Sequence, residues 1–410
     1  SLRSNNSWSG AQQFRTCTDR MCDWHSILCH RVSGKGCLPF ATHPTAAASM
    51  PQQVETSAVA DPSKCTPILQ ALEERSVSQR PSHNPVIFKP DENALDVYNW
   101  LFSVFAPWGR PIKPILVPTT LVIAVAFLCA FATETDWLGG RWQLEVTARL
   151  SDSYSGLFVA LSFLLVFRLN RAAVRYYEGR SAAGQMVVAC RELASEACCC
   201  LAHDTVNRDD LCRWVVAFPV ATRNYLRSSA GLESVSELAG VLPHEDLQAL
   251  AQARRQPLFC IDRIRQKSLE GTRTNSCDSE NIKAEGLGQL NHETEMLQLG
   301  MGAMERINGT PLPFAYVAHL RTFLLMYLLL MPFVFGKLWG WACPVAMTIL
   351  SYGMLGIEAV SVSCERPFGW GSNHLPLDRL CDVVAEDVEQ TLQTAQGSVG
   401  AQANAAVKTV

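Results

Sequence analysis

Four long apolar segments constrain the fold of this chain more than any other feature. The first, PILVPTTLVIAVAFLCAFAT, has twenty residues and carries no charge, and a helix of about twenty apolar residues can span the hydrocarbon core of a bilayer. Two of the others are shorter and, taken singly, could be buried helices of a soluble domain. Together the segments predict four transmembrane helices in two hairpins, at about residues 114–133, 153–169, 320–336 and 338–358.

The rest of the chain is predicted to be helical or unstructured. The sequence between the two hairpins is mostly polar, with apolar residues at helical spacing in 213–227 and 290–307. It predicts a helical stromal or cytosolic region and, with the spans, an all-α membrane protein. Residues 265–295 are polar and contain several glycines, which predicts a loop or a frayed insertion. Residues 391–410 are rich in Ala, Gln and Gly, which predicts a flexible tail.

The distribution of charge predicts the orientation in the membrane. The second span is followed by four arginines, namely Arg168, Arg171, Arg175 and Arg180, whereas the connector 134–152 carries four acidic residues. The positive-inside rule then places both chain ends and the middle region on one side, and the short connectors on the other. The net charge of -3 shows no basic excess, so nucleic acid is not expected as a partner.

Residues 1–80 are predicted to be a disordered leader. They are rich in Ser, Thr, Ala and Gln, and up to Ala60 they carry five basic and three acidic residues. They lack the apolar core of a secretory signal, while a basic, Ser-rich and acid-poor composition is typical of organelle transit peptides. The composition therefore favours a transit peptide, and an ordinary disordered tail is the alternative. In an organelle, the positively charged side of the membrane would face the stroma or the matrix.

The sequence contains no recognisable catalytic or metal-binding motif. The sixteen cysteines include no C-x-x-C spacing, so most of them are interpreted as small apolar residues rather than as a disulfide or zinc framework. We find no Walker loop, no HExxH, no G-x-S-x-G and no dinucleotide fingerprint. Neither enzymatic activity nor a cofactor is therefore predicted.

The second span carries a candidate constriction. Val159, Phe163 and Phe167 are spaced by four residues and therefore share one helix face. If several subunits surrounded an axis, these side chains would form a hydrophobic ring, and such rings gate by dewetting. The edges of phenyl rings carry partial positive charge and tolerate an anion better than a cation. Periodicity alone, however, favours simple packing of the three residues against the first span.

The sequence around this face resembles the signature of the bestrophin-like anion channel family. Residues 161–184, LSFLLVFRLNRAAVRYYEGRSAAG, contain Phe-Arg-x-Asn after an apolar helix, then an aromatic pair and Glu-x-Arg. The matching positions are Phe167, Arg168, Asn170, Arg175, Tyr176, Tyr177, Glu178 and Arg180. Other segments that resemble family motifs are Pro311–Tyr316, Met331–Phe333, Glu358–Gly369 and Asn373–Asp378. The resemblance covers about residues 84–390, and the leader points to the plant and algal chloroplast branch.

The resemblance implies a homopentamer in which the second span of each subunit lines the pore. Val159, Phe163 and Phe167 would then form the narrow neck, and chloride, nitrate and bicarbonate are the permeant anions to expect. The chloroplast branch implies a multi-pass protein of the thylakoid membrane. The resemblance also implies pore-mouth or structural roles for Arg168, Asn170, Arg175, Glu178, Arg180 and Glu358. For Arg168 and Glu178, an ion pair that orders the helix end is favoured over direct ion binding.

One departure from the family pattern concerns calcium. In animal members a run of acidic residues follows Pro-Phe-Gly and coordinates calcium, whereas this chain has Trp-Gly-Ser-Asn-His at residues 370–374. Calcium needs about six to eight oxygen ligands with carboxylates among them, so no calcium clasp of that kind and no metal site are predicted. Ala172 and Ala173 also replace the usual pair of larger residues, which affects the expected pore geometry but not the fold.

Two alternatives to an anion channel remain open from the sequence. Some bacterial members pass cations, but a ring of carboxylates would favour cations and the three neck residues supply none. The other alternative is a non-conducting membrane scaffold or a subunit of a hetero-oligomeric channel. The cysteine run 198–200 and the polar segment 265–295 could then contact a partner protein.

Overall fold

The computed structural model describes residues 67–78, 112–135, 141–229, 231–274, 279–371 and 373–408. These residues form helices and contain no β-strand. The α-helices are α1 (Ile68–Ser78), α2 (Ile112–Glu134), α3 (Arg141–Cys200), α4 (Thr205–Leu226), α5 (Leu232–Val235), α6 (His244–Gln252), α7 (Gln256–Thr274), α8 (Glu280–Gly309), α9 (Phe314–Trp339), α10 (Cys343–Glu365) and α11 (Leu377–Lys408).

Helix α3 is the longest described helix. It connects the helices that contain the predicted membrane spans with a second group of helices outside them. Its 60 residues include the predicted second span together with part of the predicted connector before it. The sequence of α3 contains no proline and is rich in Ala, Leu and Arg, which are strong helix formers. At about 1.5 Å per residue, one continuous helix of this length extends far beyond a bilayer. The predicted span 153–169 is therefore only the middle of a longer helix.

The membrane half is built on an apolar cluster shared by α2, α3, α9 and α10. Among the described residues, three helical segments are long and apolar enough to cross a membrane, namely Ile112–Glu134, Ser153–Cys200 and Phe314–Glu365. The third segment consists of α9 and α10, which a 3-10 turn at Gly340–Ala342 connects. Gly340 has a φ of 49°, a backbone conformation that glycine adopts without a steric penalty.

The second half contains a separate apolar cluster. The later part of α3 packs there with α4, α8 and α11, and α7 packs on α4 and α8. Fully buried side chains from these helices include Leu193, Phe218, Ile264, Leu297 and Val388. The predicted region outside the membrane spans is therefore confirmed to be helical in its described residues.

Most of the polar segment 265–295 is helical, where a loop or a frayed insertion was expected, and residues 275–278 lie outside the described residues. Helix α7 continues to Thr274 and α8 begins at Glu280. Ser268, Gly271 and Leu290 face the interior, and a Cβ at Gly271 would lie 2.9 Å from the Leu201 side chain. Small residues at helical spacing allow this close packing, but they do not produce the apolar pattern that the sequence argument required.

Two further segments differ from the sequence-based expectation. Helix α11 continues to Lys408 where a flexible tail was expected, in agreement with the high helix propensity of its alanines. Part of the predicted disordered leader forms α1, which packs on α11 and buries Ile68, Ala71 and Leu72. Their spacing of three to four residues places them on one helix face. Residues 1–66 lie outside the described residues.

Most described cysteines behave as apolar core residues. Ten are free, and six of these are buried, namely Cys129, Cys190, Cys212, Cys260, Cys343 and Cys381. Burial raises the pKa of the Cys381 thiol to about 12, so this side chain remains a neutral thiol at physiological pH. The interpretation of these six residues as small apolar side chains is confirmed.

Candidate functional site

The predicted neck residues lie on an exposed face of α3. The side chains of Val159, Phe163 and Phe167 are 55%, 61% and 57% exposed in the single chain. The rings of Phe163 and Phe167 stack along the helix with their centroids 6.3 Å apart. Simple packing against the first span, which periodicity alone favoured, therefore does not account for these residues. Their face of α3 needs another surface, an ion path or lipid to cover it.

After Phe167 the exposed face of α3 carries polar residues together with Val174, which is 41% exposed. Asn170 and Arg171 are exposed in the next turn, and Tyr177, Gln185 and Glu192 continue the exposed stripe farther along the helix. The spacing of four residues places Arg171 on the face of Phe167. One helix face thus presents three apolar side chains within the span and then a cation at the end of that span.

Behind this face lies a cluster of charges, defined here as Arg168, Arg175, Arg321, Glu358 and Glu365. The Arg168 side chain is 1% exposed, although it directly follows the exposed Phe167. Its Nε donates to Glu358 Oε2 at 3.3 Å, and its Nη2 donates to Glu365 Oε2 at 2.7 Å. Since an unpaired charge in an apolar interior costs several kcal/mol, these two carboxylates are what allows the burial of Arg168.

The other members of the charged cluster connect three helices. Arg321 of α9 donates through Nε to Glu358 Oε1 at 2.8 Å. Arg175 of α3 donates through Nη2 to the carbonyl oxygen of Ile307 at 2.6 Å and through Nε to that of Glu365 at 3.5 Å. The backbone N–H of Leu312 donates to Glu365 Oε1 at 2.9 Å. The cluster therefore fixes α3 against α9, α10 and the segment before α9.

Two of the sequence motifs contact each other next to this cluster. Gly179 of the Glu-x-Arg motif lies against the Pro-Phe-Gly segment, where an added Cβ would meet Pro367 Cγ and Phe368 Cζ at 3.1 Å. Phe368 itself is 1% exposed. Glycine at this position permits the close approach of the segment to α3. The distant motifs thus form one packed structure rather than separate sites.

The structure separates the predicted pore-mouth residues into two groups. Arg168, Arg175 and Glu358 belong to the charged cluster. Asn170, Glu178 and Arg180 are exposed, and within the described ranges neither Glu178 nor Arg180 forms an ion pair. The sequence argument singled out neither Glu365 nor Arg321 as a site residue. Glu365 and Arg321 lie near the ends of apolar spans. That position could have indicated a paired charge, because a charge there needs a partner.

The segment that follows Pro-Phe-Gly is held by arginines. Arg227 donates to Asp378 through Nη1 and Nη2 at 2.9 Å each, and Arg223 Nη1 donates to the same carboxylate at 3.0 Å. Burial raises the pKa of Asp378, but these arginines outweigh it and hold the pKa below its usual value. The Arg227 guanidinium also lies 4.1 Å from the centre of the Trp370 ring. The Asp378 carboxylate is therefore already neutralised.

Comparisons with known proteins agree with this architecture. The family described as "Bacterial/Fungal Bestrophin protein" matches residues 95–390. A voltage-dependent anion channel-forming protein of Synechocystis is 29% identical over 298 residues, which cover 71% of this chain and 91% of that protein. The chloroplastic voltage-dependent chloride channel 1 of Arabidopsis thaliana is 27% identical over 288 residues, covering 69% of this chain and 65% of the relative.

Solved structures show the same fold. A bacterial bestrophin homologue from Klebsiella pneumoniae superposes with a TM-score of 0.60 at 20% sequence identity, over 68% of this chain and 98% of that one. The family match covers both the exposed face of α3 and the charged cluster behind it. The order of motifs, the helical architecture and the match over residues 95–390 together show that this chain belongs to the bestrophin family.

Proposed function

We propose that this protein is the subunit of a membrane channel that conducts small anions passively. The observation that carries the proposal is the exposed face of α3, where Val159, Phe163 and Phe167 lie within an apolar span. Relatives named as voltage-dependent anion and chloride channels support the same function. Several copies around an axis would bring these faces together and form a narrow apolar neck, which water leaves readily and which can therefore gate.

The chemistry of the proposed neck favours anions. The three side chains provide no carboxylate that would attract a cation, and the edges of the phenyl rings are weakly positive. Arg171 follows Phe167 by one turn and is exposed, so each subunit would add one cation at the end of the neck. Rings of Arg or Lys favour anions in pores. Chloride is the first ion to test, followed by nitrate and bicarbonate.

We propose a homopentamer in a chloroplast membrane, with the thylakoid as the expected location. The chloroplastic relatives and the composition of residues 1–80 support this location. In the proposed topology α2, the first part of α3, α9 and α10 cross the membrane as four spans. The long helical region, including 265–295, would then lie in the stroma together with residues 391–410. Residues before α1 would contain the transit peptide.

Planar-bilayer recording of the purified full chain tests the proposed function. Under a chloride gradient we expect currents that reverse near the chloride equilibrium potential, and replacement of chloride by nitrate or bicarbonate should shift that potential. Size measurement in detergent, or native mass spectrometry, should give five copies. Reversal near the cation equilibrium potential would instead show a cation channel. Well-formed oligomers that pass no current would favour a scaffold or a subunit that needs a second partner chain.

A further inference from the structure

A cavity of about 350 Å³ opens between α2, α9 and α10 at one end of the membrane half. We call it the lateral pocket. Pro114 and Pro118 of α2, Leu324 and Leu325 of α9, and Leu355 and Val362 of α10 provide most of its wall. The wall is thus largely apolar, as is typical of sites that hold hydrocarbon.

The lateral pocket also contains two charged side chains. Arg321 and Glu358, both members of the charged cluster, line one side of it. The Arg321 side chain is 52% exposed, and its only hydrogen bond among the described residues uses Nε. Both terminal nitrogens of this guanidinium are therefore available to a ligand. Two adjacent N–H donors of this kind fit the oxygens of a phosphate, sulfonate or carboxylate.

The charge balance of the cluster favours an anion at this position. Arg168, Arg175 and Arg321 carry three positive charges, and Glu358 and Glu365 carry two negative ones, which leaves an excess of one positive charge. Arg168 and Arg175 are turned toward the protein interior, so the excess is accessible at Arg321. An anionic group in the lateral pocket would neutralise the cluster without displacing any of its ion pairs.

The depth and the direction of the lateral pocket fit a lipid. Arg321 lies seven residues after the start of α9, and Glu358 lies seven residues before the end of α10. Those two ends adjoin, since Leu312 bonds to Glu365. At 1.5 Å per residue the charges lie about 10 Å along the helices from their ends, in the outer part of the spans, where a long arginine side chain can extend toward a lipid headgroup. No residue of α3 lines the pocket, so it opens away from the proposed pore.

We infer that the lateral pocket binds an anionic membrane lipid, with the headgroup on the Arg321 guanidinium and an acyl chain along the apolar wall of α2, α9 and α10. This binding needs the membrane location but not ion conduction. A non-conducting protein would bind the lipid equally well, so failure of the proposed channel function and failure of lipid binding can be told apart.

The test is lipid titration of the delipidated full chain in neutral detergent, read by native mass spectrometry. We expect phosphatidylglycerol to bind more tightly than phosphatidylcholine with the same acyl chains. Arg321→Gln should weaken phosphatidylglycerol binding at least about tenfold, which is the fold-change that corresponds to one charge-assisted hydrogen bond. It should weaken phosphatidylcholine binding less, because the choline cation of that lipid offsets the charge of its phosphate. Lys337→Gln removes an exposed cation from the other end of α9 and should have no effect.

Arg321→Gln also removes an ion pair and could therefore destabilise the protein. A second variant separates loss of lipid binding from loss of folding. Val362→Phe fills the lateral pocket, leaves every charge in place and should reduce phosphatidylglycerol binding as well.

Equal binding of the two lipids by the wild type would overturn the inference, as would unchanged phosphatidylglycerol binding in Arg321→Gln. Full displacement by inorganic phosphate at similar concentration would show a free-anion site instead. Photo-crosslinking of a probe attached at Leu325 to a second subunit, without lipid uptake, would show that a second copy fills the pocket.

Discussion

Near Phe167 the exposed side of α3 is apolar and its buried side is charged, which is the reverse of the arrangement on a helix of a soluble protein. The outward side carries phenyl rings that are more than half exposed, whereas the inward side buries the Arg168 guanidinium almost completely. In water the apolar side would turn inward and the arginine outward. The inversion is stable here because two carboxylates neutralise Arg168, while the phenyl face is left for an ion path or a neighbouring subunit. One side of α3 should therefore determine folding and the other conduction.

The largest effect is expected from Arg168→Met. This change leaves Glu358 and Glu365 without their shared buried partner, so the free energy of unfolding should fall by about 3–5 kcal/mol. Thermal melting followed by tryptophan fluorescence, together with size-exclusion chromatography, measures the loss. Arg180→Met is the matched control, since Arg180 is exposed on the same helix and its replacement should cost less than about 0.5 kcal/mol. Equal stability of the two variants would contradict a structural role of the charged cluster.

A smaller loss of stability is expected from Gly179→Val. The added carbons would collide with Pro367 and Phe368, whose atoms lie 3.1 Å from an ideal Cβ, and overpacking of this kind costs about 1–3 kcal/mol. Gly184→Val provides the comparison on the same helix, because no atom lies within 4 Å of its ideal Cβ. That control should change the free energy of unfolding by less than about 0.5 kcal/mol. If both variants melted alike, the contact between the two motifs would not matter for stability.

Phe163→Ala tests the outward side of α3. The ring is 61% exposed, so melting should change little, but the proposed neck widens and its dewetting barrier falls. Current at voltages where the wild type is closed should rise about tenfold, equivalent to about 1.4 kcal/mol, in planar-bilayer recordings. Phe131→Ala is a suitable control, because Phe131 of α2 is 55% exposed but lies outside the proposed pore. A similar gain of current in both variants would argue against a neck at Phe163.

The smallest effect is expected from Arg171→Gln, which removes the cation after the neck. Anion current at low salt should fall about two- to fivefold, as a loss of about 0.5–1 kcal/mol of attraction per site predicts. At about 1 M salt the Debye length is near 3 Å, so the variant should approach the wild type. Recordings at both ionic strengths measure this difference. A reduction that is independent of salt would indicate a change of pore shape rather than loss of charge.

Much of the architecture follows from local features of the sequence. Charge-free runs predict the apolar segments because unpaired charges are costly in a bilayer, and the spacing of Val159, Phe163 and Phe167 defines a helix face whatever that face contacts. The order of motifs around Arg168 and Pro367 indicated the bestrophin family before any fold was known. These properties belong to short windows of sequence and need no knowledge of distant contacts.

The errors occur where distant contacts decide the local structure. Residues 265–274 and 280–295 are helical because small side chains such as Gly271 fit against Leu201, and residues 68–78 form α1 because α11 covers their apolar face. Neither partner can be identified from the segment itself. Segments with weak local signals therefore take the conformation that the tertiary packing stabilises.

The sequence alone therefore determined the apolar segments, the composition of the exposed face of α3 and the family. Only the tertiary structure decided which charges pair. Arg168 lies 190 and 197 residues before the two carboxylates that it binds, and no periodicity relates positions so far apart. It was likewise the tertiary structure that placed Arg321 at the mouth of the lateral pocket. The physical reason is that buried charges are stabilised by partners in space, and those partners are fixed only when the helices pack.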